Sequence, residues 1–96
     1  MIPAAIVPLI RRAILDLLND VGGEQNHDVL AMLLAQLGHR IARRDVAEQM
    51  RWLEMNGYIT AEDIGPFLVS RILADGRDIA EGRLVVTGVW RHKTGD

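Results

Sequence analysis

Gly38-His39-Arg40-Ile41-Ala42-Arg43-Arg44-Asp45-Val46-Ala47-Glu48-Gln49-Met50-Arg51-Trp52-Leu53-Glu54-Met55-Asn56-Gly57-Tyr58-Ile59-Thr60 is the stretch that decides the fold. Residues 38–42 read as a short connector. Val46, Met50 and Leu53 then recur at helical spacing, which predicts a helix from Arg43 to Asn56. Gly57 supplies its stop. The N-cap falls on Ala42 or Arg43, both poor caps, and Asp45 in the first turn partly compensates through the helix dipole. Tyr58-Ile59-Thr60 is short and β-prone.

Upstream, Leu30, Leu33, Leu34 and Leu37 share one face of a predicted helix from Asn26 to Leu37, with Asn26 or Asp28 as its cap and Gly38 at its end. Before it, Ile6, Ile10, Ile14 and Leu17 mark a helix from Pro3 to Asn19, flanked by Val7, Leu15 and Leu18. Pro8 restarts or bends that helix, and Gly22-Gly23 ends it. Downstream, Phe67 to Ile72 is a second β-prone run. Residues 61–66, with Gly65-Pro66 as a turn signal, connect it to Tyr58-Ile59-Thr60, giving a β-hairpin. A short helix is expected from Leu73 to Glu81, with Ile79 inward and Gly82 at its end. Arg83 to Asp96 is an extension too apolar, at Leu84, Val85, Val86, Val89 and Trp90, for a pure solvent tail.

The 96 residues fit one domain, divided here into a body of 1–82 and an extension of 83–96. Apolar residues make up 49% and charged residues 25%, a globular composition. There is no cysteine, which excludes disulfides, thiolate metal sites and cysteine nucleophiles, and favours an intracellular setting for so small a chain. The apolar first ten residues precede Arg11 and Arg12, whereas a signal peptide carries its positive charge ahead of the apolar run. Asp16, Asn19 and Asp20 break the run short of the roughly 20 residues of a membrane span. Net charge is −2, distributed as −2 over 1–38, +1 over 39–57, −3 over 58–82 and +2 over 83–96. Two weakly basic zones in an acidic chain are a small footprint for a strong nonspecific DNA binder.

The predicted order is three helices, a hairpin and a short helix, with the second and third helices joined by a tight turn. That is the pattern of a helix-turn-helix followed by a β-wing, mainly α with a small hairpin, in which the third helix enters a major groove. The run Leu37 to Val46 resembles the turn and recognition-helix start of small winged-helix proteins. Trp52 to Ile59 is similar to the end of that helix running into the first wing strand, and Leu73 to Gly82 to the segment after the wing. Over roughly residues 10–90 the chain resembles the ArsR-like winged-helix proteins of Mu-like phages and prophages. The resemblance implies a winged-helix fold, DNA binding or transcriptional regulation, and the cytoplasm of a bacterial host. The chain departs from metal-sensing ArsR proteins in lacking cysteine, and from basic wings in carrying Glu62 and Asp63.

With Val46, Met50 and Leu53 inward, Arg44, Ala47, Glu48 and Arg51 face outward. Arg43 and Arg44 stand at the helix start, where arginines fork onto guanine; Gln49 suits adenine if it reaches, and Glu48 can accept from cytosine. His39 and Arg40 in the turn suit phosphates. The alternative is an ordinary solvated face and a polar turn. Arg91-His92-Lys93 reads as a mobile tail rather than a phosphate track, and Trp52 as core. Ile2, Ile6, Val7, Val85, Val86, Val89 and Trp90 are the candidate dimer contacts; the last four either fold back as an extra strand or pack in a dimer. Catalysis has little support: His27, His39 and His92 form no metal pair, Asp75 and Asp78 read as a solvated face, and Ser70 sits in no nucleophile elbow. No cofactor and no metal are expected. The first reading is a homodimer on duplex DNA; the alternative is an assembly module docking a phage or host protein.

Overall fold

The computed structural model describes residues 1–93. Across them run four α-helices and one three-stranded antiparallel sheet. A 3-10 turn, Ala4–Ile6, leads into α1, Val7–Asp20. The helix thus starts one turn later than Pro3. Pro8 sits in its first turn, where a missing N–H loses no helical bond. Ile10, Ala13, Ile14, Leu15 and Leu18 are fully enclosed, so α1 is the central element. Each of its large aliphatic side chains contributes about 1.5–3 kcal/mol through burial.

β1, Glu24–Asn26, was not expected from its residues. Glu-Gln-Asn has no β-propensity of its own; the strand exists because β3 offers it a free edge. α2, His27–Gln36, is capped by Asn26, whose Oδ1 accepts from Val29 N at 2.9 Å. Leu30 and Leu34 are buried as the pattern requires, but Leu37 lies past the helix end and is exposed. His39 N donates to Leu34 O at 2.8 Å and Gly38 N to Ala35 O at 3.0 Å, the paired bonds of a Schellman stop.

α3, Arg43–Met55, buries Val46, Gln49, Met50 and Leu53. It ends on the same motif, with Tyr58 N to Leu53 O at 3.1 Å and Gly57 N to Glu54 O at 2.9 Å. β2, Ile59–Ile64, takes in residues 61–64, which the sequence assigns to the connection. β3 is Phe67–Ile72. The hairpin register runs from Ile59↔Ile72 to Ile64↔Phe67, leaving a two-residue turn. Gly65, at φ +58, supplies the positive φ that such a turn needs at its first central position. β3 is central, with sheet order β1-β3-β2. Ile59, Leu68, Ser70 and Ile72 form its inner face against the helices.

α4, Ala74–Ala80, lies against α1 through buried Ile79. The extension then folds back along α1 without forming a strand. Val89 is buried, Leu84 and Val86 pack against the core, and Trp90 N donates to Pro8 O at 3.0 Å. Arg12 Nη1 donates to Trp90 O and Arg91 O at 3.2 and 2.9 Å. Arg91 is therefore tied down, which corrects the mobile-tail reading there; residues 94–96 of the extension lie outside the described residues.

Candidate nucleic-acid interface

The start of α3 meets the hairpin tip and the start of α2 around an open depression of about 580 Å³, lined by His27, Asp28, Arg43, Arg44, Pro66 and Phe67. Arg43 and Arg44 are both exposed. Arg43 Nη1 donates to Asp28 Oδ2 at 3.1 Å. Arg44 has no ion pair among the described residues, and neither has Arg40 in the turn, so both guanidiniums are available to an anion.

His27 organises this corner, a role that its isolated place in the sequence did not signal. Its Nδ1 accepts from Leu68 N at 3.0 Å, which leaves the ring proton on Nε2, 3.3 Å from Asp28 Oδ1. Its ring meets Phe67 edge-on, 6.3 Å between centroids. Asp28 thus spends one oxygen on His27 and the other on Arg43.

Arg51 is committed. Its Nη2 donates to both Asp63 oxygens, at 3.0 and 2.8 Å, and Nη1 lies 4.0 Å from Glu54. The hydrogen bonds to Asp63 hold the Arg51 guanidinium above its usual range. Glu48 is exposed and Ala47 half-buried against the core. One expected contact is corrected and another is narrowed. Gln49 is buried, and its Oε1 accepts from Arg11 Nε at 2.8 Å, so it does not face a base. His39 Nε2 is enclosed with no hydrogen-bond partner among the described residues, so that atom does not face a phosphate. Gln49 lies one turn from Val46 and Leu53 on the inward side of α3, and the pairing with Arg11 shows why a polar residue is stable there.

The candidate dimer residues divide. Ile2 and Val89 are packed in the chain's own core, and Ile6, Val7 and Val86 pack partly against it. For these five residues the chain itself supplies the cover that was expected of a partner. Val85 and Trp90 remain exposed. Trp52 is half-buried as expected, with Arg11 stacked 3.7 Å from its ring centroid. Burial lowers the pKa of that Arg11. Among the described residues, no helix is long and apolar enough to cross a membrane.

No family model matches the chain. Over 83 residues it is 37% identical to the uncharacterized protein gp26 of Escherichia phage Mu, a stretch covering 86% of this chain and 86% of that protein. The chain belongs to the gp26 family. It is a Mu-like phage protein, as the resemblance implied. In this gp26-family chain the four arginines of α3 and the turn before it are half neutralised by its own acids: Arg43 by Asp28 and Arg51 by Asp63, with Arg44 and Arg40 left over.

Proposed function

We propose that this gp26-family protein is a winged helix-turn-helix DNA-binding protein that acts as a homodimer in transcriptional regulation. The element order supports it: α1, a short strand, α2, a tight turn, α3 and a two-stranded hairpin. In that reading α3 enters the major groove and the hairpin is the wing. The observation that carries it is a pair of cations with no ion pair among the described residues: Arg44 at the start of α3, which shares a depression with the hairpin tip, and Arg40 in the turn before it. Arg44 and Arg43 contact base edges or phosphates, and Arg40 holds the backbone. The role is one of binding, without catalysis, cofactor or metal.

The test is anisotropy with duplex fragments of the native phage genome across a salt series. Selective binding that weakens with salt is expected. The double substitution Arg43→Ala/Arg44→Ala should cost about 1–3 kcal/mol if one arginine makes a bidentate base contact. Unchanged affinity in that variant overturns the assignment.

A second reading, an assembly module for a phage or host protein, draws on exposed Val85 and Trp90 together with the paired arginines. Truncation of 84–96 is a poor test of it, because Val89 belongs to the core and Arg12 would lose two carbonyl acceptors. Val85→Ser/Trp90→Ser is the cleaner variant, and loss of partner binding by it with DNA binding absent would favour this reading.

A further inference from the structure

We infer that the hairpin tip is an apolar wedge that enters the minor groove of bound DNA and opens a base step. The inference rests on the DNA-binding reading and adds to it a mode of engagement that kinks the duplex.

Ile64 and Phe67 face each other in the last pair of the hairpin, so their side chains share one face. They are 52% and 38% exposed, and Gly65 and Pro66 between them are exposed as well. Four consecutive residues without a charge thus form the furthest point of the hairpin, and a wedge must be apolar in this way to gain from leaving water among bases.

The tip is also stiff. Proline fixes φ in its two-residue turn. Asp63, just behind it on β2, is held by both its oxygens to Arg51 of α3. On β3, Phe67 is braced edge-on by His27, and Leu68 N donates to the same ring. Each strand is therefore anchored to a different helix immediately behind the tip. A protrusion held from both sides can push bases apart instead of yielding.

Its surroundings favour DNA as the occupant. Pro66 and Phe67 share their depression with Arg43 and Arg44. An apolar point flanked by guanidiniums complements a base stack flanked by phosphates. Two of the acids near the tip are engaged, Asp63 by Arg51 and Asp28 by Arg43 and His27, while Glu62, exposed two residues behind Ile64, makes no ion pair among the described residues. Wedges of Phe, Ile and Pro kink duplexes by about 20–90° toward the major groove.

The experiment uses the full chain and two short duplexes of the same A·T-rich sequence, one fully paired and one with a central mismatch. Both carry donor and acceptor dyes at their ends, and 2-aminopurine beside the centre. The protein is expected to shorten the end-to-end distance of the paired duplex and raise 2-aminopurine emission. It should bind the mismatched duplex about tenfold more tightly, since unstacking there is partly prepaid. Ile64→Ser/Phe67→Ser should lose both the bend and the mismatch preference; equal thermal melts would show that the fold is intact. Binding without a bend or a mismatch preference overturns the wedge while leaving the DNA reading standing, as does a bend that survives in the variant. Absence of binding to either duplex and to the genome fragments overturns both.

Discussion

Arg12 Nε donates to Asp16 Oδ1 at 2.9 Å, one turn apart on α1, with both side chains buried. The same guanidinium, 3% exposed, also donates to the carbonyls of Ala80, Trp90 and Arg91. One buried cation therefore joins the central helix to the end of α4 and to the returning extension. Such a charge survives burial because nearly every donor of its fork is used. Replacing it with Met should cost about 3–5 kcal/mol, because Asp16 loses this cation and three carbonyls lose a donor. Urea melts check this, with Arg12→Lys expected to recover only part of the loss. A cost below about 1 kcal/mol would contradict the clamp.

Gly76 gives a prediction whose sign opposes helix propensity. It lies inside α4, where alanine is ordinarily better by about 0.8–1.0 kcal/mol. A Cβ there would be driven into the Tyr58 carbonyl oxygen and would lie 2.9 Å from Ile72 Cγ1. That carbonyl also accepts from Leu73 N, so it is poorly free to move. Gly76→Ala should therefore destabilise by about 1–3 kcal/mol. A thermal melt at or above the wild-type midpoint would refute the close approach of α4 to the start of β2.

Asp63 restrains Arg51, and its removal should help DNA binding. In Asp63→Asn the guanidinium stays charged but loses its carboxylate partner. Affinity for duplex DNA should rise, and the dependence of log K on log salt should steepen by about 0.9 for each added phosphate contact. The same change loosens the brace behind the hairpin tip, so any bend of the duplex should shrink while affinity rises; weaker binding would contradict the release of a cation.

Glu81 reports the ionic contacts at the end of α4. Hydrogen bonds from Arg83, then from Asn19, hold its carboxyl below the usual glutamate range. With the folded value below the unfolded one, its contribution is present above the unfolded value and lost as pH falls through the folded one. The group is exposed, so the effect is best read by carboxyl NMR titration. Arg83→Gln should return the Glu81 midpoint toward the ordinary range, and an unshifted midpoint in that variant would assign the depression elsewhere.

Much of the scaffold was legible because local signals carry it. Val46, Met50 and Leu53 marked the buried face of α3, Gly38 and Gly57 its flanking stops, and Gly65-Pro66 the hairpin turn. What escaped depends on partners distant in the chain. β1 is polar and exists through the edge of β3. Gln49 is buried because Arg11, 38 residues away, satisfies it. The fold-back of the apolar extension was one of two readings open in the sequence, but its ties, from Arg12 to the Trp90 and Arg91 carbonyls, were not legible. At the interface, the arginine-rich start of α3 was visible, but not which arginines are spent. Asp28 on Arg43 and Asp63 on Arg51 are contacts between elements, and no spacing rule announces them.

The central claim is that the start of α3 and the turn before it meet DNA. The most direct test is a backbone amide NMR titration of the full chain with duplex DNA from the native genome. Shifts concentrated at residues 40–44 and 64–67 are expected, lost on raising the salt. Shifts confined to 84–90, or none at all from a folded protein at low salt, would contradict the claim and move the functional surface to the exposed Val85 and Trp90.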